Sequence, residues 1–215
     1  MRNRFDRQLH LLDEQLTHMG ELCETAIAKA TQALKDGSIE QAKVIIAEDE
    51  EIDQIEKDIE RLCLKLLLQQ QPVATDLRVI SSALKMITDM ERVGDQASDI
   101  AEISRIIIEG GHGINEDMKV MAREAVKMVT ESVDSFVRKD LELARKVIAY
   151  DDIVDNLFSK MKKDVIDIIS KDSSLGEYSI DLLMIAKYLE RIGDHATNIA
   201  EWVEFSITGE RSKNN

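Results

Sequence analysis

Two stretches of this 215-residue chain read almost alike. Met90-Glu91-Arg92-Val93-Gly94-Asp95-Gln96-Ala97-Ser98-Asp99-Ile100-Ala101-Glu102 returns 99 positions later as Leu189-Glu190-Arg191-Ile192-Gly193-Asp194-His195-Ala196-Thr197-Asn198-Ile199-Ala200-Glu201. Earlier in each half, Asp49-Glu50-Glu51-Ile52-Asp53 resembles Asp151-Asp152-Ile153-Val154-Asp155, and Ile39-Glu40-Gln41-Ala42 resembles Leu141-Glu142-Leu143-Ala144, both at an offset of 102. A chain that repeats itself at a near-constant offset folds the same supersecondary unit twice.

The unit is helical. One proline and nine glycines in the whole chain leave too few turns for a sandwich or barrel, and Ala, Leu, Ile, Glu, Lys and Met favour helices. Apolar residues recurring with a 3.6-residue period predict amphipathic helices over 4–35, 39–70, 75–109, 115–138, 141–171 and 177–208. Asp36-Gly37-Ser38 supplies a helix-ending glycine and then a capping serine, and Pro72 stands just before a new helix. Glu109-Gly110-Gly111-His112-Gly113 marks the junction between halves. The expected architecture is all-α: two tandem three-helix bundles over 1–110 and 114–210, with a polar tail at 211–215.

At about 100° per residue, Glu91, Asp95, Asp99 and Glu102 fall within a sector of roughly 80°. Continued toward the N-terminus, that sector holds Leu77, Ile80, Leu84 and Ile87, so a core-directed stripe turns from aliphatic to carboxylate partway along one helix. Glu190, Asp194, Asn198 and Glu201 repeat the pattern behind Leu183 and Ala186. One helix earlier, Asp49 and Asp53 share a face with Ala42, Ile45, Cys63 and Leu67, as Asp151 and Asp155 do with Ala144, Val147, Val165 and Ile169. Carboxylates gathered at low dielectric repel and take up protons unless a positive charge sits among them. A metal ion fits, since these oxygens suit Mg, Ca, Mn, Fe or Zn; solvation, or pairing with Arg92, Arg191, Arg78 and nearby lysines, is the other way to satisfy them. Glu56 and Glu60 share the Asp49 face, but their counterparts are Phe158 and Lys162, which removes them as repeat-wide candidates. Gly94 and Gly193, inside helices, point to a close approach of the second helix or of a bridging ligand.

The chain carries 42 acids against 28 bases, a net charge of −14, which argues against nucleic acid as a partner. No apolar run nears the ~18 residues needed to span a bilayer, and Cys23 and Cys63 lack Cys-x-x-Cys spacing, so the expected location is cytoplasmic and reducing. Glu-x-x-His repeats of di-iron enzymes, phosphate-cradling loops, nucleophile elbows and dinucleotide turns do not occur. His10, His18, His112 and His195 are scattered and read as surface or satisfied histidines.

With Glu91-Arg92-Val93-Gly94-Asp95, Glu190-Arg191-Ile192-Gly193-Asp194 and the pairs Asp49/Asp53 and Asp151/Asp155 in place, the chain resembles the PhoU family over roughly residues 5–208. The resemblance implies metal ligation by Asp49, Asp53, Glu91, Asp95, Asp151, Asp155, Glu190 and Asp194, with Asp99, Glu102 and Glu201 as additions and Fe, Zn, Mg or Mn as the ion. Asn198 in the place of Asp99 leaves the second site one negative charge fewer, which implies weaker binding or fewer ions there. The resemblance also implies a non-enzymatic regulator that restrains phosphate uptake and phosphate-starvation signalling. Its implied partners are the ATPase subunit of the phosphate ABC transporter, the phosphate-sensing histidine kinase and a second copy of itself. A carboxylate-bundle metalloenzyme or metal store is the rival class.

Overall fold

The computed structural model describes residues 2–70 and 73–210, with side chains other than those of 2–4, 34, 35, 46–49, 69 and 70. The Asp49 carboxyl, the Gln71-Pro72 link and the expected tail at 211–215 lie outside the described residues. Six helices follow one another: α1 (Arg2–Asp36), α2 (Ile39–Gln70), α3 (Ala74–Glu109), α4 (Glu116–Arg138), α5 (Leu141–Lys171) and α6 (Gly176–Thr208), with a 3-10 turn (Ser173–Leu175) before α6. No strand occurs among the described residues.

The breaks follow from local chemistry. Gly37 has φ +66°, a left-handed conformation open to glycine, and the Ser38 hydroxyl then accepts the Gln41 N–H at 3.3 Å. Asn115 accepts the Met118 N–H at 2.9 Å to start α4, and Asp140 accepts that of Leu143 at 3.0 Å to start α5. Between the halves, His112 stacks on Tyr178 at 4.4 Å and the Tyr178 hydroxyl donates to the Gly113 carbonyl at 2.8 Å, so the junction is pinned to the start of α6.

Helices α1, α2 and α3 pack on one another, as do α4, α5 and α6. Each bundle then meets the other twice, α3 against α6 and α1 against α4. The four helices α1, α3, α6 and α4 thereby form a central layer, with α2 and α5 on its outside. Apolar burial is continuous across this layer: Leu12, Leu16, Met19, Ile27 and Met90 belong to the same core as Met121, Met128, Leu189 and Ile199. Burying each such side chain contributes about 1.5–3 kcal/mol, which ties the repeats into one unit. Leu77, expected on the core stripe, is 48% exposed because it lies in the first turn of α3, at the end of the bundle.

Glycines mark two crossings differently. A Cβ built on Gly193 of α6 would meet Val154 of α5 at 3.4 Å, an ordinary contact, so the approach of these helices does not itself demand glycine. A Cβ on Gly20 of α1 would lie 3.2 Å from both methyls of Val133 on α4, a tighter fit. Gly193→Ala is therefore expected to leave stability unchanged or raise it by up to about 1 kcal/mol through helix propensity. Gly20→Ala should forfeit that gain to crowding. Urea unfolding midpoints of the two variants check the contrast.

Candidate metal centre

The second repeat presents the more complete site. Asp151 and Asp155 are one turn apart on α5, Glu190 and Asp194 one turn apart on α6, and the buried pairing of α5 with α6 through Val154, Ile192 and Gly193 turns the two pairs toward each other. Asp155, Glu190 and Asp194 each offer an oxygen within 4.8 Å of the others. Packing against α5 strips water from the Asp194 carboxyl, although the residue keeps access to solvent. With repulsion from Glu190, Asp151 and Asp155 outweighing attraction to Lys187, this raises its pKa to about 6. Asp151 is also pushed up, chiefly by burial, while a hydrogen bond from Thr197 opposes the shift.

Lys187 is the cation built into this group. Its ammonium bonds Glu190 and lies 5.4 Å above the Phe158 ring, which occupies the position held by Glu56 in the first repeat.

The first repeat brings Asp53 of α2 toward Glu91 and Asp95 of α3 but satisfies them with more positive charge. Arg92 reaches Asp95 at 2.9 Å and Glu91 at 3.4 Å, and Lys57 lies 3.6 Å from Asp53. Burial raises the Glu91 pKa, with Asp95, Glu56 and Asp53 adding to it against Arg92. Glu56 is raised too, first by burial and then by Glu60 and Asp53. Glu56 thus joins this group even though comparison of the repeats removed it. Its signal was the face it shares with Asp53.

The other expected residues sit elsewhere. Asp99 turns toward α6, where Tyr188 hydrogen-bonds it and Arg191 attracts it, and Glu102 lies at the edge of the same contact. Glu201 is buried two turns beyond Asp194 on α6, near Glu204, which accepts from Arg145 at 2.8 Å. Asn198 faces α3: its amide donates to Asp89 at 3.2 Å, beside His195, whose Nδ1 is 2.9 Å from the same oxygen. Asn198 therefore does not dilute the charge of the second group, and the weaker second site expected from it has no structural basis. His195 is a satisfied histidine, as expected.

This is an all-helical protein of two like three-helix units, each with carboxylates facing one another between its second and third helices. A family model described as the PhoU domain matches residues 16–104 and 118–203. The chain belongs to the PhoU family. It is 37% identical to a phosphate-specific transport system accessory protein PhoU homolog of Clostridium acetobutylicum, over 96% of this chain and 95% of that one. It is 33% identical to the homolog of Pseudomonas aeruginosa, over 95% of this chain and 86% of the relative. Among solved structures, PhoU from Pseudomonas aeruginosa superposes with a TM-score of 0.91 at 33% identity, covering 96% of this chain and all of that one. The phosphate transport system regulatory protein PhoU from Streptococcus pneumoniae gives 0.90 at 27%, covering 98% of this chain and all of that one.

The raised Asp194 pKa has a definite consequence. The folded chain holds this proton more tightly than the unfolded chain, so the stability it contributes is present below the ordinary aspartate value and lost as pH rises through about 6. In chelator-stripped protein, Asp194→Asn should raise the thermal midpoint by a few degrees near about pH 7.5. The gain should shrink distinctly toward about pH 5, which thermal melts across that range measure.

Proposed function

We propose that this chain is a metal-binding, non-enzymatic regulator of phosphate uptake and phosphate-starvation signalling, working in the cytoplasm by protein contact. Its partners in this reading are the ATPase subunit of the phosphate ABC transporter and the phosphate-sensing histidine kinase, and it works as a homodimer. Family membership and relatives that are accessory proteins of phosphate transport support the regulatory role. Among the described residues no helix is long and apolar enough to cross a membrane, which fits a protein that serves a transporter without being part of its membrane path.

The single observation that carries the metal reading is the meeting of Asp155, Glu190 and Asp194, with oxygens within 4.8 Å of one another. Carboxylates at that spacing repel by about 1–3 kcal/mol per pair between water-like and protein-like screening. Lys187 offsets part of this, and a divalent cation would reverse the sign of the whole interaction. All-oxygen donors on two helices suit Mg, Mn, Fe or Zn, in keeping with hard or borderline ions. By the same logic, Glu91, Asp95 and Asp53 would hold an ion only after Arg92 and Lys57 swing aside.

Elemental analysis of protein dialysed without chelator tests the assignment directly. The parent should carry Fe, Zn, Mn or Mg, and a folded variant with Glu91, Asp95, Glu190 and Asp194 all changed to alanine should carry none; metal retained by that variant would sink the ligand assignment. Lys187→Met gives a second, signed test. Removing the competing ammonium should tighten Mn²⁺ binding several-fold in competition with a fluorescent chelator, and unchanged or weaker binding would show that Lys187 does not contest the site.

A further inference from the structure

We propose that Thr197 is a positioning residue, holding the Asp151 carboxylate in the orientation from which it completes the second metal site; this rests on the metal reading above. The Thr197 hydroxyl donates to Asp151 Oδ1 at 3.2 Å, from α6 to α5. Thr197 is 8% exposed, so water is a poor substitute for its partner. Many hydroxyls in these helices turn back on their own backbone, Thr17 to Asp13, Thr31 to Ile27, Ser104 to Ile100 and Ser170 to Ile166, and Thr130, which also reaches Glu24 of α1 at 2.9 Å, still bonds the Val126 carbonyl. Thr197 instead reaches another helix, and the group it reaches belongs to the acidic cluster.

Three features make this a positioning contact. First, Asp151 stands one turn from Asp155 on α5, and its charge adds to that of Glu190 in repelling Asp194, so it already acts on the three-carboxylate group. Second, the hydroxyl occupies one oxygen, leaving Oδ2 and the remaining lone pairs for a cation, which is how orienting partners commonly serve metal-bound carboxylates. Third, the first repeat keeps a hydroxyl at the equivalent place, Ser98, between positions that differ, Gln96 against His195 and Asp99 against Asn198, in a stretch that otherwise keeps Ala97, Ile100 and Ala101 as Ala196, Ile199 and Ala200. The chemistry retained is an O–H donor one turn beyond the glycine-acid pair.

The test uses full-length, chelator-stripped chain with Glu91→Gln and Asp95→Asn in place, so that the second site is read alone. Mn²⁺ affinity is measured by competition with a fluorescent chelator for this parent, for Thr197→Val, which keeps the shape and removes the donor, and for Thr197→Ser, which restores it. Thr197→Val should weaken Mn²⁺ binding about 10-fold or more, with little change in the metal-free thermal midpoint, and Thr197→Ser should recover most of the loss. Should the valine variant fail to fold, Thr197→Ala carries the same comparison. A parent that binds Mn²⁺ beside a valine variant that binds it equally overturns the role of Thr197 and leaves the metal reading standing. Equal weakening by valine and serine also overturns it, since the methyl packing and not the hydroxyl would then matter. A parent that binds no Mn²⁺ overturns the metal reading and this role together.

Discussion

Repulsion among Asp151, Asp155, Glu190 and Asp194 has to be offset, because the packing of α5 on α6 brings these carboxyls together at the edge of the helix pair, with Asp155 and Asp194 still open to solvent. The helices are held by apolar contacts on either side of the acids, through Val147 and Val165 on α5 and Ile185, Leu189 and Ile192 on α6. The apolar stripe therefore supplies the energy that concentrates charge. The group answers by drawing in Lys187 and by holding a proton on Asp194 to higher pH than an aspartate without such neighbours would. Both responses lower the repulsion, and in the proposed reading a bound cation would take their place.

Duplication gives each repeat one such group, one between α2 and α3 and the other between α5 and α6. Because α3 packs on α6, the helices that carry Glu91 and Asp95 and that carry Glu190 and Asp194 are in contact through their other faces. There Asp89 accepts from His195 and Asn198, and Asp99 meets Tyr188. These pairs are related by the repeat, Asp89 corresponding to Tyr188 and Asp99 to Asn198, so the seam is built twice from different side chains. Arg92 and Arg191 show how the copies have drifted. The first turns to its own acids, Glu91 and Asp95, while the second acts on Asp99 and Tyr188 across the seam.

Much of this was written plainly in the chain. Helix boundaries followed from capping residues and a 3.6-residue period, and the internal repeat identified the pairs Asp151/Asp155 and Glu190/Asp194, of which Asp155, Glu190 and Asp194 meet in space. Angular position alone failed where a helix has more than two neighbours. Asp99 and Asn198 share a broad sector with Glu91 and Glu190, yet α3 and α6 pack on each other, and that contact claims the far edge of the sector. The repeat filter failed in the opposite way at Glu56, discarding a carboxylate that is specific to one copy. The 3-10 turn before α6 and the reach of Thr197 across to Asp151 depend on tertiary placement, which periodicity does not encode.

The most direct measurement is the thermal midpoint of chelator-stripped protein at about pH 7.5 as Mn²⁺ is titrated in. In the proposed reading the carboxylates bind a cation in the folded state and lose their arrangement on unfolding, so the midpoint should climb with the logarithm of the ion concentration above the dissociation constant. A midpoint that stays flat with Mn²⁺, and equally with Mg²⁺, Zn²⁺ and Fe²⁺, would contradict the account and leave the acidic pairs as solvated charge on a helical adapter.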